Sequence, residues 1–354
     1  MRKLQDAQIE GKKVILRVDF NVAVEDGRVK EKFKITTVKE TLDYLMEKKS
    51  KVALLTYLGR PKGKKDLKFS LEKIRDDIEN VLGYTIKFVP DCIGEEVKKA
   101  TDDLKDGEVA LLENVRFYKG EGDEKSEGYD EEFAKKLSIG FDLFVNDAFS
   151  QSHRNQASIA GVPKYIPSCA GLLLQKEISQ MEKIKNDFVR PAVAIIGGAK
   201  IETKLPVIKF FEEKYDYVLV GGKIANEALD EKKEFSEKVI LPTDFVDDRL
   251  DIGKNTVEKF KEIISVSKTI LWNGPLGKFE DEKYSMGTYE ILDEILVTKK
   301  AKDAYVVIGG GETLEALENK NAINKVDFVS TGGGAMLEYL GGKKMPGVEA
   351  LKSD

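Results

Sequence analysis

Short apolar runs rich in β-branched residues recur along this 354-residue chain, and charged amphipathic stretches separate them. The stretches 36–48, 71–81 and 255–264 have the apolar spacing of helices. Strands that alternate with helices are typical of βαβ units and parallel sheets, and continuous apolar strands predict sheets covered on both faces. The predicted strands are residues 14–18, 52–55, 85–89, 109–112, 143–145, 193–196, 217–220, 239–241, 269–272, 305–308 and 326–329.

These eleven predicted strands are too many for one compact sheet, and a chain of 354 residues seldom forms a single core. We therefore predict an α/β fold with two doubly wound, parallel-sheet (Rossmann-like) domains. No repeat of solenoid length is visible, which argues against a repeat architecture.

The composition excludes several classes of protein. Hydrophobic residues make up 41% and charged residues 34%, as in a soluble, enzyme-like chain, and the net charge of −5 argues against a general nucleic-acid binder. No apolar run approaches the roughly 18 residues of a transmembrane helix, and no secretory signal is visible. Cys92 and Cys169 lack metal-site spacing, so buried free thiols in a reducing compartment are expected. The single histidine, His153, excludes zinc sites built from several histidines, and no G-x-S-x-G segment accompanies it.

The residues that follow each strand are the candidate ligand site, because doubly wound sheets bind ligands beyond the carboxyl ends of their strands. In the first half, three arginines follow strands: Arg60, Arg116 and Arg154. Their planar forks match carboxylate and phosphate oxygens. In the second half, glycine clusters follow the strands, and glycines suit phosphates and a flat ring that approaches the backbone. We therefore predict a small anion on one domain and a nucleotide on the other.

The stretch 193–204, VAIIGGAKIETK, combines a predicted strand, two glycines and two lysines. A helix that begins there would offer free N–H groups to an anion, with Lys200 and Lys204 on one helix face. No G-x-x-x-x-G-K-[ST] segment occurs in the chain, so this phosphate cradle is not a Walker A loop. Taken alone, the stretch is equally compatible with an ordinary strand-to-helix turn that carries two solvated lysines.

In their order, these segments resemble phosphoglycerate kinases over nearly the whole chain. The resemblance is carried by VILRVDFNV, LGRPKG, LLENVRF, FVNDAFSQSHRNQAS, GGAKIETK, LWNGPLGKFE, IGGGET and STGGGAMLEYLGGKKMPGV. It implies reversible phosphoryl transfer between 1,3-bisphosphoglycerate and ADP, giving 3-phosphoglycerate and ATP. It also implies Mg²⁺ with ATP or ADP, and a cytoplasmic monomer of glycolysis or gluconeogenesis that has small-molecule substrates and no nucleic-acid or membrane partner.

The resemblance further implies a division of the chain. Residues 1–165 would form the acid-substrate domain and residues 189–338 the nucleotide domain. A hinge with an interdomain helix would occupy 166–188, with the helix itself near 171–184. Residues 339–354 would return to the first domain.

The resemblance assigns site residues one by one. Asp19 and Asn21 would bind the glycerate hydroxyl region, and Arg60, Arg116 and Arg154 the phosphate that is not transferred. Lys204 would contact the transferring phosphoryl group, with Lys200 nearby, and Glu280 would lie at the ribose. The full expected acid site is Asp19, Asn21, Lys34, Tyr57, Leu58, Gly59, Arg60, Arg116 and Arg154. The expected nucleotide site is Lys200, Lys204, Gly222, Asn273, Glu280, Gly310, Gly311, Glu312 and Thr313, with Glu312 at the metal. The expected catalytic groups are Lys34, Lys204, Gly311 and Gly334.

Such a reaction needs no general base, because the attacking group is already a carboxylate or a phosphate oxygen. Catalysis then depends on alignment and on charge stabilisation of an in-line phosphoryl group. Two domains that hold separate substrates must close on each other, so we expect hinge closure in the cycle and an open form without substrates.

Five positions depart from the pattern of the family. Lys34 replaces an arginine and loses its planar fork, and Tyr57 replaces a histidine and cannot become cationic. Thr203 replaces an aspartate, and Lys223 replaces the third glycine of a cluster near the base. Glu312 replaces an aspartate, which moves a carboxylate by about an ångström at a magnesium site. Each of these substitutions except Lys223 keeps some polar function, so an active but slower enzyme is expected. The chain is also shorter than typical members, and the gap between 242 and 251 trims a surface loop while leaving the motifs intact.

Two other functions remain open at this point. One is a kinase of the same scaffold that acts on a different small carboxylic acid, which Tyr57 and Lys34 favour and the three arginines oppose. The other is a nucleotide-binding protein with impaired catalysis, which Glu312 and Lys223 favour and the two lysines of 193–204 oppose.

Overall fold

The computed structural model describes residues 1–122 and 128–352. Contacts divide the chain into two compact units, Met1–Lys176 with Lys344–Asp354, and Glu177–Lys343. Each unit contains a six-stranded parallel sheet with helices against it. The predicted two-domain α/β fold is confirmed. Of the predicted C-terminal segment 339–354, positions 353–354 lie outside the described residues.

The strands follow each other along the chain in two groups, one for each unit. They are β1 (Lys13–Arg17), β2 (Val24–Glu25), β3 (Arg28–Val29), β4 (Lys51–Leu55), β5 (Ile86–Val89), β6 (Val109–Leu112), β7 (Leu143–Asn146), β8 (Ser168–Ala170), β9 (Ala192–Ile196), β10 (Tyr217–Val220), β11 (Val239–Ile240), β12 (Phe245–Val246), β13 (Asp251–Ile252), β14 (Thr269–Asn273), β15 (Tyr305–Gly309) and β16 (Phe328–Ser330).

The α-helices lie between these strands. They are α1 (Phe33–Thr36), α2 (Lys39–Glu47), α3 (Arg75–Leu82), α4 (Glu95–Asp102), α5 (Glu131–Ser138), α6 (Leu172–Asn186), α7 (Ile201–Lys214), α8 (Gly222–Asp230), α9 (Lys254–Val266), α10 (Met286–Lys302), α11 (Gly311–Asn319), α12 (Gly334–Leu340) and α13 (Pro346–Glu349). Helix α6 begins in the first unit and continues into the second.

The first sheet has the order β5-β6-β4-β1-β7-β8, and all of its pairs are parallel. Alternate residues of β1 enter different core clusters, with Val14 and Leu16 in one and Ile15 in the other. Side chains of a strand point alternately to its two faces, so this sheet is covered on both sides, as the apolar runs predict. The strand order reverses between β1 and β7, which is where such sheets bind ligands.

The second sheet has the order β11-β10-β9-β14-β15-β16 and is also parallel throughout. Counted within the sheet, this is the 3-2-1-4-5-6 order of dinucleotide-binding folds. Its order reverses between β9 and β14, whose carboxyl ends carry Gly197 and Asn273. The topology therefore places the glycine turns of the second unit at the expected ligand edge.

The structure differs from the predicted elements in five places. Strand β8 and the hairpins β2–β3 and β12–β13 were not predicted, because each strand has only two or three residues. The predicted helix 36–48 corresponds to α2, which begins only at Lys39, because the β-branched run Thr36-Thr37-Val38 separates it from the short helix α1. The predicted helix 71–81 begins as a 3₁₀ turn, Leu71–Ile74, and continues as α3.

The cysteines and the helix lengths bear on two further expectations. Cys92 and Cys169 are both buried and unpaired with each other, as predicted for free thiols. Within residues 1–122 and 128–352, no helix has both the length and the apolar character needed to span a bilayer.

Candidate functional site

The edge of the first unit is organised around Asp19, which follows β1 at the reversal of strand order and is 6% exposed. Its carboxylate accepts hydrogen bonds from the Ser150 hydroxyl, from the Asn21 backbone N–H at 2.9 Å and from Gln151 Nε2 at 3.3 Å. Burial alone would raise the pKa of Asp19, but Lys34 and these hydrogen bonds outweigh it and lower the pKa. Asp19 is therefore an anionic anchor of the edge.

Lys34 and Asn21 lie beside this anchor. The Lys34 ammonium is 3.6 Å from an Asp19 oxygen and donates to the Asn21 carbonyl at 3.2 Å. The Asn21 side-chain oxygen accepts from the Gly59 N–H at 2.8 Å. The loop after β4 is thereby joined to the loop after β1, although the two are separated by almost forty positions in the sequence.

Arg116 closes the network from the loop after β6. Its guanidinium donates to the Gly59 carbonyl at 3.1 Å and to Gln151 Oε1 at 3.4 Å. It also lies 3.6 Å from the centroid of the Tyr57 ring. Burial lowers the pKa of Arg116, and the positive charge of Arg154 lowers it further. The structure therefore brings Asp19, Asn21, Lys34, Tyr57, Gly59 and Arg116 together at one edge.

The remaining predicted acid-site residues, Leu58, Arg60 and Arg154, are less directly connected to the network around Asp19. Leu58 contributes its carbonyl, which accepts from Asn114 Nδ2 at 2.8 Å. Arg60 ends the same loop with an exposed side chain. Arg154 is partly buried and is near enough to Arg116 and Tyr57 to influence the pKa of both.

Sequence reasoning missed a second, fully buried layer behind these side chains. Arg17 is 0% exposed, and its Nε donates to the Ser158 hydroxyl at 2.8 Å, which in turn donates to Glu121 at 2.6 Å. Burial lowers the pKa of Arg17 and raises that of Glu121, and each charge opposes the shift of the other. Arg17 stands in the quoted VILRVDFNV segment, but nothing local identifies Glu121 and Ser158 as its partners.

The edge of the second unit is built from backbone rather than side chains. Gly198 N–H donates to the Pro275 carbonyl at 2.9 Å, and Ile224 N–H donates to the Gly198 carbonyl at 3.1 Å. At Gly222, which has φ +65°, a Cβ would meet the Pro275 oxygen at 2.8 Å and Gly198 N at 2.9 Å. The turns after β9, β10 and β14 therefore touch each other through positions that only glycine can occupy.

Lys204 and Asn273 are the side chains at the centre of this edge. Lys204, on the first turns of α7, donates to Asn273 Oδ1 at 2.7 Å. Burial lowers the pKa of Lys204 to about 8, and Glu312 acts in the opposite direction. Thr313 is buried at the start of α11, where its hydroxyl accepts from the Gly274 N–H at 2.8 Å.

The surroundings of Glu312 disfavour the ionised form of its carboxyl group. Burial raises its pKa, the like charge of Glu280 raises it further, and Lys204 opposes both. In the described ranges 1–122 and 128–352, no cluster of three or more His, Cys, Asp or Glu side chains could hold a metal by itself. Any metal at this edge would therefore need ligands from a bound molecule in addition to Glu312.

The prediction that Lys200 and Lys204 share one helix face is wrong. Lys200 is the residue before α7, with φ +68°, and its side chain is exposed, while Lys204 is partly buried. Gly198 also has a positive φ, so the chain turns twice before the helix can begin. Lys223 and Glu280 are exposed at the same edge, and Gly310, Gly311 and Gly334 lie at the starts of α11 and α12.

Comparisons with known proteins agree on one family. The family model described as phosphoglycerate kinase matches residues 4–248 and 230–343. A curated phosphoglycerate kinase of Dictyoglomus turgidum is 38% identical over 395 residues, covering 99% of this chain and 98% of that protein. One from Borrelia garinii subsp. bavariensis is 37% identical over 388 residues, covering 97% and 96%.

Solved structures give the same result. The crystal structure of the phosphoglycerate kinase from Pyrococcus horikoshii superposes with a TM-score of 0.86 at 31% identity, covering 99% of this chain and 98% of that one. The phosphoglycerate kinase structure from Coxiella burnetii has a TM-score of 0.81 at 32% identity, with the same coverage.

Proposed function

This chain belongs to the phosphoglycerate kinase family, and from that premise we infer how its own residues divide the work of the reaction. The reaction is reversible phosphoryl transfer between 1,3-bisphosphoglycerate and ADP, with 3-phosphoglycerate and ATP as products. The chain is thus a glycolytic kinase whose phosphoryl acceptor is a carboxyl group, and neither alternative function finds support in the comparisons.

We propose that the edge of the first unit binds the three-carbon acid. The observation that carries this proposal is the connected network of Asp19, Asn21, Lys34, Gly59 and Arg116. Asp19 and Asn21 would bind the hydroxyl region of the acid. Arg116, with Arg60 and Arg154, would bind the phosphate that stays on the acid, because guanidinium groups bind phosphate oxygens in pairs.

We propose that the edge of the second unit binds the nucleotide. Lys204 would contact the phosphoryl group in transfer, since its ammonium is held by Asn273 at 2.7 Å and is partly desolvated. The backbone N–H groups at the start of α11, Gly311 to Thr313, would bind phosphate oxygens, as helix N-termini do. Gly222 would act at this edge by allowing the turns after β9, β10 and β14 to touch each other. Three further roles follow the resemblance: Lys200 would lie near the phosphoryl group in transfer, Glu280 would lie at the ribose, and Gly334 would be one of the catalytic groups.

Magnesium bound to the nucleotide fits the residues present. Burial and the like charge of Glu280 raise the pKa of Glu312, and a cation beside the carboxylate would oppose both effects. Mg²⁺ is commonly held by one or two carboxylates together with substrate phosphates, and Glu312 would be that carboxylate here. When bound, the ion would neutralise charge on the phosphates.

Catalysis in this proposal is alignment and charge stabilisation. The attacking oxygen carries its own negative charge, so no side chain has to remove a proton. Lys34 on one edge and Lys204 on the other would stabilise the transferring group, and a donor in such a place is worth about 10²–10³-fold in rate. Positioning of the two substrates supplies most of the remaining acceleration, about 7–11 kcal/mol at best.

Hinge closure remains a proposal. It rests on the chemical requirement that two substrates bound by separate units must meet. Small-angle scattering should show a smaller radius of gyration when 3-phosphoglycerate and a nucleotide are both present. Equal radii with and without the two ligands would contradict closure. The cytoplasmic location and the monomeric state are proposals too, and light scattering after gel filtration tests the second.

The test of the function is a coupled assay of the purified chain. Supplied with 1,3-bisphosphoglycerate, ADP and magnesium chloride, the chain should form ATP, and supplied with 3-phosphoglycerate and ATP it should form ADP. No ATP formation from a folded sample, together with measurable nucleotide binding, would instead indicate a nucleotide-binding protein without kinase activity.

A further inference from the structure

The Tyr57 ring forms a platform beneath the arginines of the first unit. Tyr57 follows β4, and its side chain is 3% exposed. The Arg116 guanidinium carbon lies 3.6 Å from the ring centroid and the Arg17 guanidinium carbon 5.5 Å from it. We propose that Tyr57 is a positioning residue: its ring fixes the plane of the Arg116 guanidinium for the substrate phosphate, and Tyr57 does not bind the substrate itself. This inference rests on the acid-binding role proposed for Arg116.

The ring of Tyr57 is anchored in the core of the first unit. Tyr57 belongs to the buried cluster that also contains Ile15, Val115 and Phe144. Its hydroxyl has no hydrogen-bond partner within residues 1–122 and 128–352. The contact that Tyr57 makes with the candidate ligand-binding group Arg116 is therefore made by its ring face.

Arg116 needs such a platform because its other contacts are few. It donates to the Gly59 carbonyl and, at 3.4 Å, to Gln151, and it has no carboxylate partner in the described part of the chain. Two contacts leave most of its five N–H groups available to a ligand. A guanidinium recognises phosphate in pairs of parallel hydrogen bonds, so the orientation of its plane decides how well it binds. Stacking on an aromatic face fixes that plane.

The charges around the ring support the same role. Besides Arg17 and Arg116, the groups that act on Tyr57 electrostatically are Asp19 and Arg154. Three cations near one ring repel each other, and Glu121 offsets the charge of Arg17 from the buried side. An aromatic face attracts a cation without adding a charge, so the ring can hold Arg116 while leaving its charge for the substrate.

The experiment compares Tyr57→Leu with Tyr57→Phe in steady-state assays with 3-phosphoglycerate and ATP. Tyr57→Leu removes the ring and should raise the KM for 3-phosphoglycerate by about 3- to 30-fold, with the KM for ATP unchanged. Tyr57→Phe keeps the ring and should rescue the KM for 3-phosphoglycerate to within about threefold of the wild-type value. Tyr84→Leu is the control. It removes another ring of the same unit that lies near a cation, since the Lys39 ammonium is 5.2 Å from the centroid of the Tyr84 ring.

Two results would overturn the inference. A rise of about tenfold or more in the KM for 3-phosphoglycerate of Tyr57→Phe would place the hydroxyl on the substrate. This variant preserves the core, so the test survives if Tyr57→Leu does not fold. If a folded Tyr57→Leu variant had the wild-type KM for 3-phosphoglycerate, the ring could not be what positions Arg116.

A double-mutant cycle with Arg116→Lys separates positioning from a general structural role. If Tyr57 acts through Arg116, then Tyr57→Leu should add less than about twofold to the KM of Arg116→Lys. Fully additive effects would contradict the inference. Failure of the proposed function itself looks different, because the wild-type chain would then show no turnover at all.

Discussion

The two units use the same architecture to build two different kinds of site. In each sheet, the strand order reverses next to the first strand, and the strand across the reversal ends in an asparagine, Asn146 on β7 and Asn273 on β14. The Asn146 side chain has a structural role within the first unit: its Oδ1 accepts from the Ala148 N–H, and its Nδ2 lies near the Ser152 hydroxyl. Asn273 instead accepts from Lys204, a candidate catalytic group.

The residues around these asparagines extend the contrast. The first edge consists of side chains that hold each other, including Asp19, Gln151 and Arg116. The second consists of glycine turns whose backbones touch, with Lys204 and Asn273 between them. A side-chain network can accept a substitution that preserves its contacts, whereas crowded glycines cannot accept even a Cβ. This difference allows Lys34 and Tyr57 to depart from the family pattern at the first edge, whereas the departures of the second unit, Thr203, Lys223 and Glu312, lie at exposed positions rather than at the crowded glycines.

The largest effect is expected from Lys204→Ala, because the second edge offers few other side chains to replace its charge. The turnover number should fall by about 10²–10³-fold, while ADP binding measured by calorimetry remains detectable. Lys209→Ala is the control on the same helix, since Lys209 is exposed and pairs with Glu212. Near-normal turnover of Lys204→Ala would mean that the backbone alone stabilises the transferring group.

The next largest effect tests the intolerance of the glycine turns. Gly222→Ala should lower the free energy of unfolding of the second unit by about 2–4 kcal/mol, because it combines a positive φ with contacts below 3.0 Å. Gly342→Ala should cost only about 1–2 kcal/mol, because Gly342 has φ +82° with nothing within 4 Å. Urea titrations followed by the fluorescence of Trp272, the single tryptophan, report on this unit.

Equal losses for the two glycine variants would contradict the account of the second edge. They would show that the cost lies in the backbone conformation alone and that the turns have room to separate. The side-chain and backbone edges would then not differ in their tolerance of substitution.

A third prediction concerns Asp147, which follows Asn146 and is 1% exposed. It accepts from the Leu174 N–H at 3.0 Å, and its other oxygen has no partner within the described ranges. Burial raises its pKa to about 7. Between about pH 4 and pH 7 the folded carboxyl therefore keeps a proton that the unfolded chain has lost, so stability falls as the pH rises through this window.

Asp147→Asn should remove this dependence. Between pH 5 and pH 8 the wild-type protein should lose about 2–3 kcal/mol relative to the variant, read from the hydrogen-exchange protection of the Leu172–Asn186 helix. Parallel pH profiles for the two proteins would show that Asp147 is ionised throughout. The equivalent position of the second unit is Gly274, so no such slope is expected from that edge.

The smallest effect is expected from Lys34→Arg. A guanidinium restores the planar fork, and the turnover number should rise severalfold, on the order of 1 kcal/mol of transition-state stabilisation. Lys32→Arg, at an exposed neighbouring position, should leave turnover unchanged. A lower turnover of Lys34→Arg would show that the network with Asp19 and Asn21 has adapted to the ammonium.

Most of the fold could be predicted because the apolar runs are local signals. Strand β8 could not, since Ser168-Cys169-Ala170 contains no branched or aromatic residue. It becomes a strand through distant partners, pairing with β7 and receiving a bridge from Lys3. The hairpin β2–β3 has a local signal only in its turn, because Asp26-Gly27 is a dipeptide typical of tight hairpin turns, while its strands have two residues each.

The site was predictable only in part, for the same physical reason. Residues at strand ends can be found from the runs, which is how Arg116 and the glycine clusters emerge. The partners that orient them are set by tertiary structure: Arg17 meets Ser158 across 141 positions of sequence. The start of α7 after Lys200 depends on two positive φ angles, which residue types alone did not predict.

The central claim is the division of labour between the two edges, and hydrogen–deuterium exchange tests it most directly. Added alone, 3-phosphoglycerate should protect peptides that cover 19–21, 57–60, 114–117 and 150–154, and should leave 197–204 and 310–313 unchanged. ADP with magnesium chloride should protect 197–204, 221–224 and 310–313 and leave the first set unchanged. Protection of the 310–313 region by 3-phosphoglycerate alone, or of the 114–117 region by ADP alone, would contradict the claim.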